Sequence, residues 1–440
     1  MTNLEIGLTS FPVLLLLIFL RIPIGLSMLM VGLGGLYFVT GGTTVALAKL
    51  KSETYSTFSS YSLSIIPMFL LMGHFATLGG MSTALFKAAE AWLGHRKGGV
   101  AMSAVGACAG FGAICGSSLA TAATMSQVAL PELRRYGYSG GFSTATLAAG
   151  GTLGILIPPS VILVIYAILT EQNIAKLFLS AFIPGILAAL GYMITISLYV
   201  RRNPEAAGVR DAIPYAERFR ALRAVWPVLL VFIAVVGGIY LGVFTPTEGA
   251  AVGAAGTGLI ALAKGGLNRS TLVESFIATA RSTGMIFFIV LGAGFYNGFL
   301  ALTHVPQELS NYVVSLGYSP WMILTIILAL YLVFGCLMDS LSMILLTVPI
   351  FFPIISSLDF GMTSEEVAIW FGIIVLIVVE VGLITPPVGM NLFVINSMDR
   401  LTPMLETYKA VIWFVASDII RVAILVAFPG ITLFLIRLFH

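Results

Sequence analysis

The sequence predicts an all-α polytopic membrane protein made of two repeats that are inserted in opposite orientations. The first observation is composition, because 59% of the 440 residues are hydrophobic and 9% are charged, whereas soluble domains carry about 25% charged residues. The second is that apolar stretches of roughly 18 or more residues, long enough to cross ~30 Å of hydrocarbon, recur along the chain. The third is a pair of short motifs that occurs in each half in the same order.

The apolar stretches run from end to end, so no soluble domain is predicted. The clearest are Ile6–Leu20 with its continuation past Pro23 to Val39, Ile183–Val200, Val225–Val243, Met322–Leu337 and Val367–Ile384. The first has no charged segment before it and no small-residue cleavage site after it, so we interpret it as a retained helix and not as a signal peptide. Three cysteines without metal-ligand spacing are interpreted as small buried hydrophobes, namely Cys108, Cys115 and Cys336.

Basic residues predict the orientation of the loops. They concentrate in four segments, which should face the cytoplasm, namely His95-Arg96-Lys97, Arg134-Arg135, Arg201–Arg223 and Lys264–Arg281. No Lys or Arg occurs from Ser282 to Asp399, where the connections carry acidic residues and should face outward. The polar stretch 201–223 is therefore predicted to be a cytoplasmic linker between a first repeat, 1–200, and a second repeat, 224–440.

Two motifs relate the halves. Phe111–Ser118 (FGAICGSS) has a counterpart in Phe334–Leu341 (FGCLMDSL), and Gly154–Pro159 (GILIPP) has one in Gly382–Pro387 (GLITPP). The first copies are flanked by basic loops and the second by acidic ones, so the halves are predicted to be inverted. Inverted repeats with interrupted helices in matching positions are typical of secondary transporters, whose sites lie at the repeat interface near the membrane centre.

Each repeat is predicted to contain a re-entrant helical hairpin and a broken transmembrane helix. The hairpins are predicted at about 101–130 and 322–356, and the broken helices at about 140–170 and 366–397. Two adjacent prolines remove two backbone donors and clash with the preceding turn, so the helix must break at each Pro-Pro pair. Non-helical backbone at this depth is tolerated only where it is buried in protein or lines a water-filled cavity.

These interruptions carry the predicted binding chemistry. Freed carbonyl and hydroxyl oxygens suit a hard cation such as sodium, and the half-helix N-terminus beyond each turn offers unpaired N–H groups to an anion. The polar turns are Gly116-Ser117-Ser118 and Asp339-Ser340. The carboxylate of Asp339 is costly at membrane depth unless it is paired or bound to a cation, so this residue is a cation-site candidate.

Other charged residues within the apolar stretches leave alternatives open. Glu380 either binds a coupling cation or pairs with a neighbouring helix. Asp418 and Arg421 are three residues apart, so a local ion pair is predicted. Arg21 either holds a substrate carboxylate or marks a helix end, and we favour the helix end.

The chain resembles the large membrane subunit of the tripartite ATP-independent periplasmic (TRAP) transporters, which are part of the ion transporter superfamily. The resemblance covers nearly the whole chain. Its most specific segments are Gly116–Ala122, Gly137-Tyr138, Gly154–Ser160, Pro184-Gly185, Phe244–Glu248 and Ile384–Gly389.

The resemblance implies an inner-membrane subunit that works with a small four-helix membrane subunit and a periplasmic substrate-binding protein to import carboxylate-bearing solutes with a sodium gradient. It also implies an elevator-type fold, with a transport domain that carries both hairpins and a scaffold that includes Leu4–Val39 and Val225–Val243. The ion sites would fall at Gly116, Ser117, Ser118, Gly154, Pro158, Asp339, Ser340, Thr385, Pro386 and Gly389. Substrate contacts are predicted at Ser118, Pro159, Ser160, Leu341, Pro387 and Asn391, and no cofactor other than coupling sodium ions is expected.

Other function classes fit less well. The sequence has no Gly-Lys pair, so it lacks the phosphate-binding loop of an ATP-driven pump. Only four histidines are available for a nucleophile–base–orienter arrangement, so an enzyme is not predicted. The basic residues mark loops, which argues against a nucleic-acid surface. The remaining alternative is a passive channel, or another carrier of the ion transporter superfamily that works without a binding protein.

Overall fold

A computed structural model describes residues 2–439. Every regular element in this range is helical, so the all-α prediction is confirmed. The α-helices are α1 Asn3–Phe19, α2 Ile24–Thr40, α3 Thr43–Phe58, α4 Ile65–Leu78, α5 Met81–Leu93, α6 Gly99–Cys115, α7 Ser118–Arg135, α8 Gly140–Leu156, α9 Val161–Thr170, α10 Ile174–Arg202, α11 Tyr215–Arg223, α12 Trp226–Phe232, α13 Gly238–Tyr240, α14 Pro246–Ala263, α15 Arg269–Leu302, α16 Val305–Ser315, α17 Pro320–Gly335, α18 Ser340–Ser356, α19 Ser364–Ile384, α20 Met390–Met398, α21 Met404–Ala427 and α22 Pro429–Phe439. Short 3₁₀ turns cover Ser62–Ser64 and Pro204–Ala206, and a π-helical segment, Ile233–Gly237, joins α12 to α13.

Several helices can cross a membrane. By length and composition α10, α15, α19 and α21 qualify alone, and three bent helix pairs raise the number from 4 to as many as 7 within the described range. One of these pairs is α8 with α9, which meet at 44°. The most apolar of these four, α19, has its segment Val367–Ile384 fully buried within the protein. It lies at the centre of the molecule, not at its lipid-facing surface.

The first two helices pack against α15. Helices α1 and α2 form an antiparallel pair, and α2 lies along α15, where a Cβ at Gly32 would be 3.1 Å from the backbone of Tyr296. The predicted apolar stretch to Val39 is therefore two helices. Arg21, with a φ of 66°, lies in the turn between them, which agrees with its prediction as a helix end.

The hairpins pack against the broken helices of their own repeat through glycines. Helix α6 contacts α8 where a Cβ on Gly112 would lie 2.5 Å from the Cα of Gly154. In the second repeat, a Cβ on Gly382 would lie 2.5 Å from the Cα of Gly335, which brings α17 against α19. In each repeat, the glycine of the hairpin motif, Gly112 or Gly335, thus contacts the first glycine of the Pro-Pro motif, Gly154 or Gly382. The motif glycines allow backbone-to-backbone packing that any larger residue would prevent.

Contacts between the repeats show that they run in opposite directions. Arg134, at the end of α7, forms an ion pair with Asp399, just after the end of α20. At the other end of the bundle, Lys176 near the start of α10 lies 2.7 Å from Glu365 near the start of α19. Helix α7 also packs on α20, and α18 packs on α9. Each hairpin thus meets the second half of the broken helix from the opposite repeat.

Candidate functional site

The first hairpin turns at Gly116 and Ser117. Gly116 ends α6 with a φ of 64°, a left-handed conformation that favours glycine. Ser117 is the N-cap of α7, and its Oγ accepts a hydrogen bond from the backbone N–H of Ala120 at 3.4 Å. A Cβ on Gly116 would be 3.1 Å from the carbonyl oxygen of Pro159. The predicted ion-site turn therefore lies directly against the break in its own broken helix.

The first break separates α8 from α9. Helix α8 ends at Leu156, and Pro158, Pro159 and Ser160 are buried. Ser160 caps α9, because its Oγ accepts from the backbone N–H of Leu163 at 3.4 Å. The predicted ion-site residue Gly154 packs on the start of α7, where its added Cβ would lie 2.8 Å from the carbonyl oxygen of Ser117.

The second hairpin turn differs in detail from its predicted form. Its non-helical segment is Cys336–Asp339, two residues longer than Gly116-Ser117. Asp339 is the N-cap of α18, and its carboxylate accepts from the backbone N–H of Ser342 at 3.0 Å and from the hydroxyl of the same residue at 2.6 Å. Ser340, the first residue of α18, and Leu341 are buried.

The structural equivalents at the two turns are therefore Ser117 and Asp339, because each caps the returning arm of its hairpin. The alignment of the two motifs predicts a different pair, Ser117 with Ser340, one residue further along. The position of a helix cap depends on where the backbone changes from a left-handed or extended conformation to a helical one, and the aligned sequences do not specify that point. The cation-site candidate Asp339 therefore has a neutral serine as its counterpart in the first repeat.

The second break lies between α19 and α20. The hydroxyl of Thr385 donates to the carbonyl oxygen of Val381 at 2.6 Å, and Pro386 is half-buried. Gly389, with a φ of 66°, precedes α20 and provides no side-chain cap. The N–H groups in the first turn of α20 therefore lack the capping oxygen that Ser117 and Ser160 supply to α7 and α9.

Two of the predicted substrate contacts are engaged by other residues. The hydroxyl of Tyr408 donates to the carbonyl oxygen of Pro387 at 2.7 Å. The side-chain amide of Asn391, which is fully buried, donates to the carbonyl oxygen of Ala148 at 3.4 Å across the repeat interface. Its Oδ1 has no hydrogen-bond partner among residues 2–439.

Several other buried oxygen atoms near the interruptions also lack partners in the described part of the chain. They belong to Thr121 on α7, Thr146 on α8 and Glu380 on α19. Helix α8 packs against both α7 and α19, and all three helices pack on α20, which carries Asn391. Buried oxygens normally accept hydrogen bonds, and a hard cation such as sodium prefers oxygen ligands. Each of these oxygens is therefore an open acceptor of the kind that a sodium ion prefers.

The sequence reasoning missed Thr121 and Thr146. Thr121 lies four residues after Ser117 and so one helical turn along the same face of α7. This i to i+4 spacing is the signal that could have identified it. Thr146 has no such signal, because α8 is almost wholly buried and all its faces look alike in sequence.

A buried charged network adjoins these oxygens. Arg421 lies 2.8 Å from Asp418, which confirms the predicted local ion pair. The hydroxyl of Tyr192 donates to the same aspartate at 2.8 Å and lies 3.0 Å from the hydroxyl of Thr152 on α8. The network therefore links α8, the first half of one broken helix, to α10 and α21.

Comparison with known proteins decides the family. Residues 11–431 match the family described as "Tripartite ATP-independent periplasmic transporter, DctM component". The chain belongs to this family of large TRAP transporter subunits. The family assignment agrees with the resemblance inferred from the motifs at the turns and breaks.

Relatives cover nearly the full length of this TRAP subunit. The C4-dicarboxylate TRAP transporter large permease protein DctM of Pseudomonas aeruginosa is 35% identical over 404 residues, which are 91% of this chain and 92% of the relative. The sialic acid TRAP transporter large permease protein SiaM of Vibrio cholerae is 29% identical and covers 96% of both chains.

A solved structure supports the fold alone. The YdaH transporter of Alcanivorax borkumensis, described as having an unusual topology, superposes with a TM-score of 0.65 at 15% identity. The match covers 88% of this chain and 89% of that transporter. By its family, the TRAP subunit is a multi-pass membrane protein of a solute-import system. Such a system also comprises a periplasmic binding protein and membrane partners.

Proposed function

We propose that this TRAP subunit imports a carboxylate-bearing organic solute across the bacterial inner membrane by coupling its entry to sodium. The observation that carries the proposal is the matched pair of helix interruptions, each a hairpin turn packed on a Pro-Pro break, with unpartnered buried oxygens where the repeats meet. Sodium serves as a transported coupling ion, held by side-chain and backbone oxygens.

The proposed solute class draws on relatives and on one geometric feature. DctM and SiaM relatives are named as permeases for C4-dicarboxylates and sialic acids, and both solute classes bear carboxylates. The uncapped first turn of α20 after Gly389 offers N–H groups to an anion. We therefore propose that a carboxylate of the solute binds there, between the second break and the first hairpin.

An elevator-type movement is the proposed means of alternating access. Helices α6 to α9 and α17 to α20 interlock through glycine contacts and cross-repeat packing, whereas α1 to α3 pack mainly on α15. This division supports a transport domain that moves as one body past a scaffold. The predicted scaffold segment Val225–Val243 corresponds to α12, the π-helical segment and α13, which pack on α14.

The proposed partners are a periplasmic binding protein, which would select the solute, and a small four-helix membrane subunit. Helices α1 and α2 support the second proposal, because they expose many large apolar side chains and form a groove of about 610 Å³ with Phe299. In a membrane such a face is covered by lipid or by another subunit's helices.

Sodium dependence of uptake tests the proposed ion sites. We expect Ser117→Ala and Ser340→Ala to raise the sodium concentration for half-maximal uptake by roughly threefold or more, and Asp339→Asn by more, because the last removes a charge. Uptake into proteoliposomes containing all subunits measures this shift. Ser356→Ala, an exposed hydroxyl at the far end of α18, is the control. Unchanged half-saturation in all three test variants refutes the assignment.

The same proteoliposomes distinguish the proposed carrier from a passive channel. A carrier of the proposed kind accumulates solute only with an inward sodium gradient and the binding protein, whereas a channel equilibrates solute without either. Accumulation above the external concentration therefore supports the carrier. Sodium-independent equilibration supports the channel.

Cysteine labelling tests the orientation. The native cysteines are buried, so a single cysteine introduced at an exposed position reports its own side of the membrane. We expect Val209→Cys in the central linker to resist an impermeant maleimide in intact cells and Asp359→Cys to react. Lysed cells supply the control for reactivity at both sites. Labelling of Val209→Cys from outside overturns the predicted topology.

A further inference from the structure

Glu380 is a buried carboxylate that the proposed ion sites do not yet use. It lies in α19, five residues before Thr385 and the second break, and only 2% of it is exposed. Neither carboxylate oxygen has a hydrogen-bond partner within residues 2–439. An ionised group in such surroundings is costly unless an opposite charge compensates it.

The neighbouring charges do not supply that compensation. Asp418 and Arg421 are the nearest charged groups to Glu380, and both come from α21. They pair with each other at 2.8 Å, and Asp418 also accepts from Tyr192. One guanidinium thus faces two carboxylates, so the cluster carries one negative charge in excess when all three groups are ionised.

The side chain faces the first hairpin across the repeat interface. The hydroxyl of Ser118, the buried first residue of α7, lies near the Glu380 carboxylate without reaching normal hydrogen-bond geometry. Ser118 follows the capping residue Ser117, so the carboxylate adjoins the turn that the proposed function assigns to sodium. The second hairpin has its own carboxylate, Asp339, whereas the first hairpin turn has only serines.

The internal symmetry makes Glu380 distinctive. Because Gly154 corresponds to Gly382, the counterpart of Glu380 in the first repeat is Thr152. That threonine is neutral and is bonded to Tyr192. At this position only the second repeat therefore has a carboxylate. That carboxylate approaches the first hairpin, whose turn contains no acidic residue.

We infer that Glu380 provides the negative charge for a monovalent cation at the first hairpin, as a ligand contributed by the opposite repeat. This inference rests on the proposed sodium site and adds a residue to it. The cation removes the charge excess of the cluster, and the hydroxyls of Ser118 and Thr121 complete the oxygen set on the hairpin side. Cation binding then joins the two repeats across their interface.

Sodium-dependent thermal stabilisation of the purified complex provides the test, with Glu380→Gln and Glu380→Asp as variants. A ligand that binds only the folded protein raises its unfolding midpoint once its concentration exceeds the dissociation constant, and then with the logarithm of that concentration. We expect Glu380→Gln to raise the sodium concentration needed for a given stabilisation at least about tenfold, and Glu380→Asp to raise it less. The same order is expected for sodium-driven uptake. Glu366→Gln, which removes an acidic side chain at the far end of α19, is the control.

The outcomes separate this inference from the proposed function. If the wild-type complex shows no sodium dependence in stabilisation or uptake, both the sodium proposal and the role of Glu380 are overturned. If the wild type responds and Glu380→Gln responds at the same sodium concentrations, only the role of Glu380 is overturned. A variant that unfolds at a lower temperature but keeps the wild-type dependence of stabilisation on sodium concentration also counts against it, because that result indicates a structural role.

Discussion

Replacing Gly112 or Gly382 with alanine is expected to reduce uptake by about 10- to 100-fold. In each case the new Cβ would lie 2.5 Å from the Cα of the facing glycine, Gly154 or Gly335, whereas non-bonded carbons pack at about 3.5–4.0 Å. The helices would have to separate by roughly 1 Å, at a cost of about 1–3 kcal/mol. Because these contacts hold each hairpin turn against its Pro-Pro break, the binding oxygens would also be displaced, and displacements of ~1 Å can cost about a hundredfold in rate.

A matched control lies in the same helix as Gly112. At Gly106 an added Cβ would meet the flexible end of Met193 at 3.5 Å and the Cβ of Ala89 at 3.9 Å, which are ordinary contacts. Gly106→Ala should therefore keep normal uptake and gain up to about 1 kcal/mol of helix stability. The measurement is initial uptake rate per molecule of complex, together with the unfolding midpoint. Equal behaviour of Gly106→Ala and Gly112→Ala would contradict the glycine-contact explanation.

Replacing Arg134 with methionine is expected to lower the free energy of unfolding by about 1–3 kcal/mol. Its partner Asp399 is fully buried on the side chain and retains only neutral donors, from Thr402 at 2.8 Å and the backbone of Leu401 at 3.3 Å. Loss of one partner of a buried pair typically costs about 3–5 kcal/mol. We expect less here because the Arg134 side chain is 42% exposed, so solvent already weakens the pair.

A double-mutant cycle distinguishes this from a general surface effect. Asp399→Asn should cost less than Arg134→Met, because it leaves an arginine that can reach water, and the double variant should recover part of the loss. The neighbouring Arg135→Met is the control, since Arg135 is 70% exposed and lies 3.5 Å from Glu132. That substitution should change stability by no more than about 0.5 kcal/mol. Thermal unfolding of all variants in detergent provides the measurement, and an equal loss for both arginines would contradict the expectation.

The repeated motifs made much of the candidate site predictable. Two adjacent prolines force a helix break wherever they occur in a helix, so the positions of both breaks followed from local chemistry. The glycines of the motifs were recognisable by their spacing, although the partner of each became clear only from the packing of α6 on α8 and of α17 on α19.

Other features depended on distant contacts. The cap that matches Ser117 is Asp339 and not Ser340, because α18 begins one residue earlier relative to the motif than α7 does, and no local pattern specifies that difference. The ion pair between Arg134 and Asp399 joins residues 265 positions apart. The sequence marked Glu380 only as a charged residue in an apolar stretch and left two roles open.

The sequence by itself determined that the protein is embedded in a membrane, that it is helical, where its helices must break and that its halves have opposite orientations. Each of these features follows from local composition or from the backbone limits of proline and glycine. Only the tertiary structure decided which unpaired oxygens meet at the repeat interface and which charges remain uncompensated there. Hydrogen-bond and charge balance depend on groups brought together from separate helices, and a one-dimensional pattern does not contain those distances.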